Sequence, residues 1–212
     1  MLFRSLLASA RTRLAAWADE AKEAGEELLL VKDGKRLMVD FRQADLTTDL
    51  ERVLDWRPDL VTAAALFDLV SPAWISRFVG ALKDRKLPLY TVLTYDGREI
   101  WQPSHPTDAG MVAAFHLHQH SDKGFGPAAG PDAARLMADA FAKSGYVTDT
   151  GDSPWVMDSA DAKLVAALTG GIADAVRETG QVPEVDVASW LAAKAAAQQG
   201  LVGHLDLFAR PG

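Results

Sequence analysis

The sequence predicts an α/β protein in which helices alternate with the strands of a parallel sheet, and three adjacent segments carry the prediction. The stretch from Asp59 to Ala65, just after Pro58, is a continuous apolar run of the kind found in strands buried on both faces. Ser71-Pro72 then offers a favoured N-cap followed by proline in the first turn, opening a helix that runs to about Lys83. Leu87 to Thr94 is a second buried strand. Strand, helix and strand at this spacing make a βαβ unit, which implies parallel pairing and a right-handed crossover.

The other elements follow in order. Apolar residues recur at helical spacing from Leu6 to Ala24 among Arg11, Arg13, Asp19 and Glu23, predicting an amphipathic helix that ends near Gly25. Glu27 to Val31 and Arg36 to Gln43 are β-prone runs joined by Lys32-Asp33-Gly34-Lys35, and Asp-Gly is a strong hairpin signal. Thr47 to Leu54 reads as one or two helical turns. After Tyr95-Asp96-Gly97 and a proline-rich stretch to Pro106, Thr107 can cap a helix to about Ser121. Gly124 to Gly130 is a loop, and Asp132 to Ser144 a helix closed by Gly145. Tyr146 to Thr150 and Trp155 to Met157 are strand material; Ala160 to Glu178 and Val187 to Gln199 read as helices; Val202 to Ala209 alternates as a last strand. With no repeat and no linker, residues 1–212 are expected to form a single domain.

Composition narrows the function classes. A chain of 212 residues, 49% hydrophobic and 24% charged, can bury a sizeable core. Its net charge of −7 gives no clustered cationic footprint, so neither nucleic acid nor a membrane is an expected partner. No apolar stretch approaches the ~20 residues that span a bilayer, and the N-terminus lacks a signal-peptide pattern, so a cytoplasmic protein is expected. The absence of cysteine excludes disulfides, thiolate catalysis and Cys-ligated zinc.

In open α/β sheets, ligands bind beyond the carboxyl ends of the parallel strands. Those ends read Arg42-Gln43-Ala44-Asp45-Leu46, Ala63-Ala64-Ala65-Leu66-Phe67-Asp68-Leu69 and Leu93-Thr94-Tyr95-Asp96-Gly97, with an acid ending or following each. In the order and spacing of these motifs the chain, from about Leu7 to its C-terminus, resembles the class I S-adenosylmethionine-dependent methyltransferases. The resemblance implies a Rossmann-like, mostly parallel sheet with helices on both faces, in which Val202 to Ala209 is the antiparallel last strand. It implies S-adenosylmethionine as cofactor and a small-molecule acceptor as substrate. Asp45 would meet the adenine amino group with the Leu46 backbone nearby, and the small residues Ala63, Ala64 and Ala65 would let the chain pass under the methionine part. Phe67, Asp68 and Tyr95 would line the methyl-transfer side, joined on the substrate side by His120, Lys123 and Phe125. The family's Gly-x-Gly turn after its first strand, and the ribose-binding acid after its second, have no counterpart in this sequence. The first βαβ unit is therefore expected to be absent, as in an N-terminally truncated domain, leaving an exposed sheet edge through which the chain could oligomerise.

The residues alone also allow plainer readings. Asp45 can be a turn acid capping the helical turns from Thr47. His116 and His120, at i and i+4, share a helix face as two zinc ligands do, but the Glu that a His-Glu-x-x-His site needs after His116 is missing, so no metal is expected. His118 or His120 would serve as a general base if one is needed; no catalytic residue is assigned. The loop from Asp122 to Gly126 has the glycines of a lid or substrate gate. Trp74, Trp101, Trp155 and Trp190, on different elements, are expected to anchor packing. A non-catalytic interaction module and a metal-dependent hydrolase are the rival functions.

Overall fold

The computed structural model describes residues 2–195 and 199–212, which divide between Val53 and Leu54 into two units. In the first, helix α1 (Leu2–Trp17) is followed by strands β1 (Glu20–Ala24), β2 (Glu27–Lys32) and β3 (Lys35–Asp40), an antiparallel meander in the order β1-β2-β3. The Asp-Gly signal is realised: β2 and β3 pair through Lys32 and Lys35, and Asp33 and Gly34 both take positive φ (49° and 72°), as a two-residue type I′ turn requires. Leu28 and Leu30 are buried on one face of β2, and α1 packs on β1 and β2. The helix expected to reach Ala24 stops at Trp17, because Glu20–Ala24 pairs along its whole length with β2. Pairing overrides a Glu-Ala-Lys-Glu-Ala composition that is helical by propensity.

The strand expected over Arg36 to Gln43, ahead of Asp45, ends at Asp40 and belongs to this antiparallel meander, not to the sheet of the second unit. A short helix, α2 (Leu50–Leu54), leads across the boundary between the units.

The second unit is α/β, with a mixed sheet. Strand β4 (Val61–Ala64), helix α3 (Pro72–Arg85) and strand β5 (Leu89–Gln102) form the expected βαβ unit, with β4 and β5 parallel. Ser71 Oγ accepts from the Trp74 amide at 3.2 Å, and α3 ends on Lys86 in the left-handed conformation. After β5 come α4 (Asp108–Gln119), α5 (Ala133–Lys143), β6 (Tyr146–Asp152), β7 (Trp155–Asp158), α6 (Ala162–Thr179), α7 (Glu184–Lys194) and β8 (Gln199–Pro211). The order is β4-β5-β8-β6, with β7 also on β8. The expected Ala-rich end of the α7 segment falls partly on residues 196–198, outside the described residues.

Three of the four pairings in this sheet are antiparallel, yet β8 causes all three. The last strand runs between β5 and the β6–β7 line against both, so β4, β5, β6 and β7 point one way and β8 the other. Side chains alternate along a strand, so Val202 and His204 of β8 share one face and Leu207 and Ala209 the other. On the first, Val202 joins a core of α4, α6 and α7 residues that includes Met111, Ile172, Val176, Val187 and Trp190. On the second, Leu207 and Ala209 are buried with Leu89, their neighbour on β5, where α5 packs on β5 and β8 and also on α3. Of the four tryptophans expected to anchor packing, Trp74, Trp101 and Trp190 are buried.

β5 was expected to stop near Thr94 and instead runs to Gln102, through register shifts against β8 after Thr91 and after Tyr95. Leu93 and Gly97 take positive φ (58° and 89°), the Asp96 carboxylate accepts from the Arg98 amide at 2.9 Å, and Tyr95-Asp96-Gly97 becomes a bulge instead of a strand end. The bulge lays Asp96 and Arg98 on Gly203 of β8. A Cβ at residue 203 would lie 2.8 Å from both Cβ and Nε of Arg98, whose guanidinium is tied to Asp96 and Asp152. Gly203→Ala is therefore expected to cost about 1–3 kcal/mol by overpacking, seen as a lower melting temperature; an unchanged melt would show that the bulge yields freely.

Candidate functional site

β4 leaves the sheet through Ala65, a non-glycine residue at φ 51° whose amide still donates to the Val92 carbonyl at 3.1 Å. Ala63 and Ala64 lie on β4 opposite Thr91 and Val92. The left-handed step turns the chain into a 3-10 turn, Phe67–Leu69, that buries Phe67 and Asp68. Phe67, expected on the substrate side, is fully buried, with its ring edge-on to Phe78 (centroids 5.2 Å apart) and 6.3 Å from Trp74. It is a core residue beneath α3.

Asp68 is different. It is only 9% exposed, and its Oδ1 is buried without a hydrogen-bond partner. Burial raises its carboxyl above the ordinary carboxylate value. A carboxylate in that state gains from a cation or a proton donor placed against it, and among the described residues none hydrogen-bonds to that oxygen.

The segment 120–132 covers this exit from β4. Asp122 Oδ1 accepts from the amides of Gly124 (2.7 Å) and Gly126 (3.0 Å), and a bridge pairs Asp122 with Pro127. Phe125 stands edge-on to Trp74 with centroids 5.4 Å apart, and the Ala129 amide donates to the Val70 carbonyl at 2.7 Å. The 3-10 turn Gly130–Asp132 packs on both the Phe67–Leu69 turn and β5. His120 holds the loop from α4, its Nδ1 3.1 Å from the Ala128 carbonyl oxygen. Lys123 Nζ lies 3.3 Å from His118 Nε2, which is 3.1 Å from Glu178 Oε2. His120, Lys123 and Phe125 thus all fasten one loop.

Tyr95 is buried, and its hydroxyl donates to Glu99 Oε1 at 2.8 Å while lying 3.1 Å from His116 Nε2. Burial raises the Tyr95 hydroxyl and the Glu99 carboxyl above their usual values and lowers the His116 imidazole below its own. Gly97 and Pro131 close on this group: a Cβ at residue 97 would sit 3.0 Å from Pro131 Cβ and 3.3 Å from His116 Cε1. Glu99 has no signal in the sequence as a partner of Tyr95. Four residues of straight strand span about 13 Å, and only the bulge lets the two side chains meet.

Asp45 and Leu46 lie in the first unit. The Asp45 carboxylate accepts from the Thr47 amide (2.9 Å) and hydroxyl (2.6 Å), and these bonds hold it below the ordinary carboxylate value. This is a capping turn ahead of α2, with Leu46 in the turn itself. Among the described residues, no three His, Cys, Asp or Glu side chains gather to hold a metal ion, and no helix is long and apolar enough to cross a membrane. A groove of about 850 Å³, lined by Leu54, Asp55, Arg57, Asp84, Arg85 and Leu87, lies where β4 and β5 begin. Parallel-strand chemistry sits at the other end of the strands, so the exit of β4 is the stronger candidate. Comparison of the sequence with models of known protein families found no match, and comparison with curated proteins found none either.

Proposed function

We propose that the second unit belongs to a Rossmann-like methyl-transfer domain of class I type, acting on a small-molecule acceptor with S-adenosylmethionine as donor. The observation that carries the reading is Asp68, a buried carboxyl with an unpartnered oxygen directly after a parallel strand. The last strand, antiparallel to both its neighbours, supports it as the family resemblance implies.

The donor supplies a methyl group on a positively charged sulfonium. Asp68 fits that charge, because a cation is what its carboxylate lacks. The left-handed exit at Ala65 and the small side chains of Ala63 and Ala64 allow backbone to approach a ligand closely, and the loop fastened by His120, Lys123 and Phe125 would exclude water from the reacting centre. The ribose side of the donor has no matching acid or glycine-rich turn in this sequence.

The test is calorimetric titration of S-adenosylhomocysteine into this chain and into a version extended upstream from the source gene. Binding by either supports methyl transfer. Binding by neither overturns the reading and favours an interaction module. One observation stands for that second reading: β4 ends the sheet, and with the Val61 and Ala65 amides donated toward β5, those of Thr62 and Ala64 point to the open edge.

A further inference from the structure

We propose that Glu99, Tyr95 and His116 form a hydrogen-bonded chain that fixes the His116 tautomer and presents its Nδ1 as the proton acceptor for a protic substrate, an alcohol, phenol or amine. The inference rests on the methyl-transfer reading for the identity of the reaction, but its geometry is independent of that reading.

The Tyr95 hydroxyl donates to Glu99 Oε1, 2.8 Å away, so its proton is not offered to His116. The Tyr95 oxygen then has only lone pairs to offer His116 Nε2, 3.1 Å away, and the hydrogen there must belong to the imidazole. A neutral imidazole protonated on Nε2 carries its lone pair on Nδ1. Burial lowers the imidazole and favours the neutral ring that a base needs, against the raising effect of a hydrogen bond with the Gly97 backbone. The two neighbouring histidines are committed elsewhere: His118 to Glu178 and Lys123, and His120, just after α4, to the Ala128 carbonyl.

Position connects this group to Asp68. The turn Gly130–Asp132 touches both the Asp68 turn and β5, and its Pro131 lies against Gly97 beside His116. In the step, the acceptor's O–H or N–H bond breaks and its proton goes to His116 Nδ1. The freed electron pair bonds to the methyl carbon of a sulfonium donor, and the carbon–sulfur pair stays on sulfur, leaving a neutral thioether. The imidazolium is stabilised through Tyr95 by Glu99 and returns its proton to water. His116 is the catalytic residue in this account; Tyr95 and Glu99 are positioning residues, as the orienting acid is in triads.

The experiment is nitrogen-15 NMR of the histidine rings in the full chain at pH 7.5, with His116→Gln to assign the signal, alongside the S-adenosylhomocysteine titration. The expected result is His116 in the Nε2–H form, relaxing to a mixture of tautomers in Tyr95→Phe, which keeps the buried ring. Should that variant not fold, Glu99→Gln, which removes the charge and leaves Tyr95 in place, is expected to loosen the tautomer in the same direction. A wild-type His116 protonated on Nδ1, or a tautomer unmoved by a folded variant, overturns the relay. A fixed Nε2–H tautomer with no S-adenosylhomocysteine bound by either form supports the relay and removes methyl transfer alone.

Discussion

Replacing Lys194 with methionine is expected to cost about 3–5 kcal/mol, since breaking one side of a buried ion pair leaves the other unneutralised. Lys194 is fully buried, and its ammonium lies 2.7 Å from Asp108 Oδ1 and donates to the Pro103 carbonyl at 3.2 Å. Asp108 is a hub: its Oδ1 also accepts from the Trp190 indole at 2.7 Å and its Oδ2 from the His105 amide at 2.7 Å. The pair therefore joins α7 to the start of α4 and to the segment after β5. Burial alone would raise the Asp108 carboxyl, but Lys194, the His105 amide and Trp190 together hold it below its ordinary value. A depressed carboxyl contributes stability above its unfolded value, near pH 4, and loses it as pH falls through the folded value. Wild type and Lys194→Met should thus differ most near neutrality and converge in acid. Chemical denaturation at pH 7 and at pH 3 measures both; equal stabilities at pH 7 would show that the methionine repacks the site.

This pair shows what the sequence could not convey. The helices that carry Asp108 and Lys194 stand close to where the sequence places them, although Thr107 makes no side-chain cap bond, and the Asp33-Gly34 hairpin and the strand-helix-strand unit were legible because their signals are local. The meeting of residues 86 positions apart is not local. The same limit explains β5. Tyr95-Asp96-Gly97 carries turn chemistry, and only pairing with β8 converts it into a bulge that brings Glu99 to Tyr95. It explains β1 too, where helical composition yields to the neighbouring strand. Of the candidate site, Asp68 was legible because it follows a strand, although β4 is a half-exposed edge strand and not the strand buried on both faces that its apolar run predicts. His116 was visible in sequence only as half of a metal pair, since nothing local announces a tyrosine as its partner.

Asp68→Asn is expected to stabilise the chain while removing its affinity for a cationic ligand. Removing the charge from a carboxyl with a buried, unpartnered oxygen should recover about 1–3 kcal/mol near pH 8, the usual cost of such a group. The sign with pH is opposite to that at Asp108. A carboxyl raised by burial is protonated in the folded state at low pH and adds no penalty there; as pH rises from the unfolded value through the folded one, the chain must ionise a buried group and loses stability. The difference between Asp68→Asn and wild type should therefore be small near pH 4 and grow toward pH 8. Glu99, also raised, contributes the same slope to both proteins and cancels in the comparison. Natural sites retain a destabilising group where function requires it, and on the methyl-transfer proposal that function would be charge complementarity. If Asp68 faces the sulfonium, the asparagine variant should bind the uncharged S-adenosylhomocysteine nearly as well as wild type does and lose its preference for positively charged analogues such as sinefungin. Competition titrations with the two ligands, in whichever form of the chain binds, decide it. An unchanged preference would assign Asp68 to the fold alone, and a stabilised variant without preference would assign it to the donor.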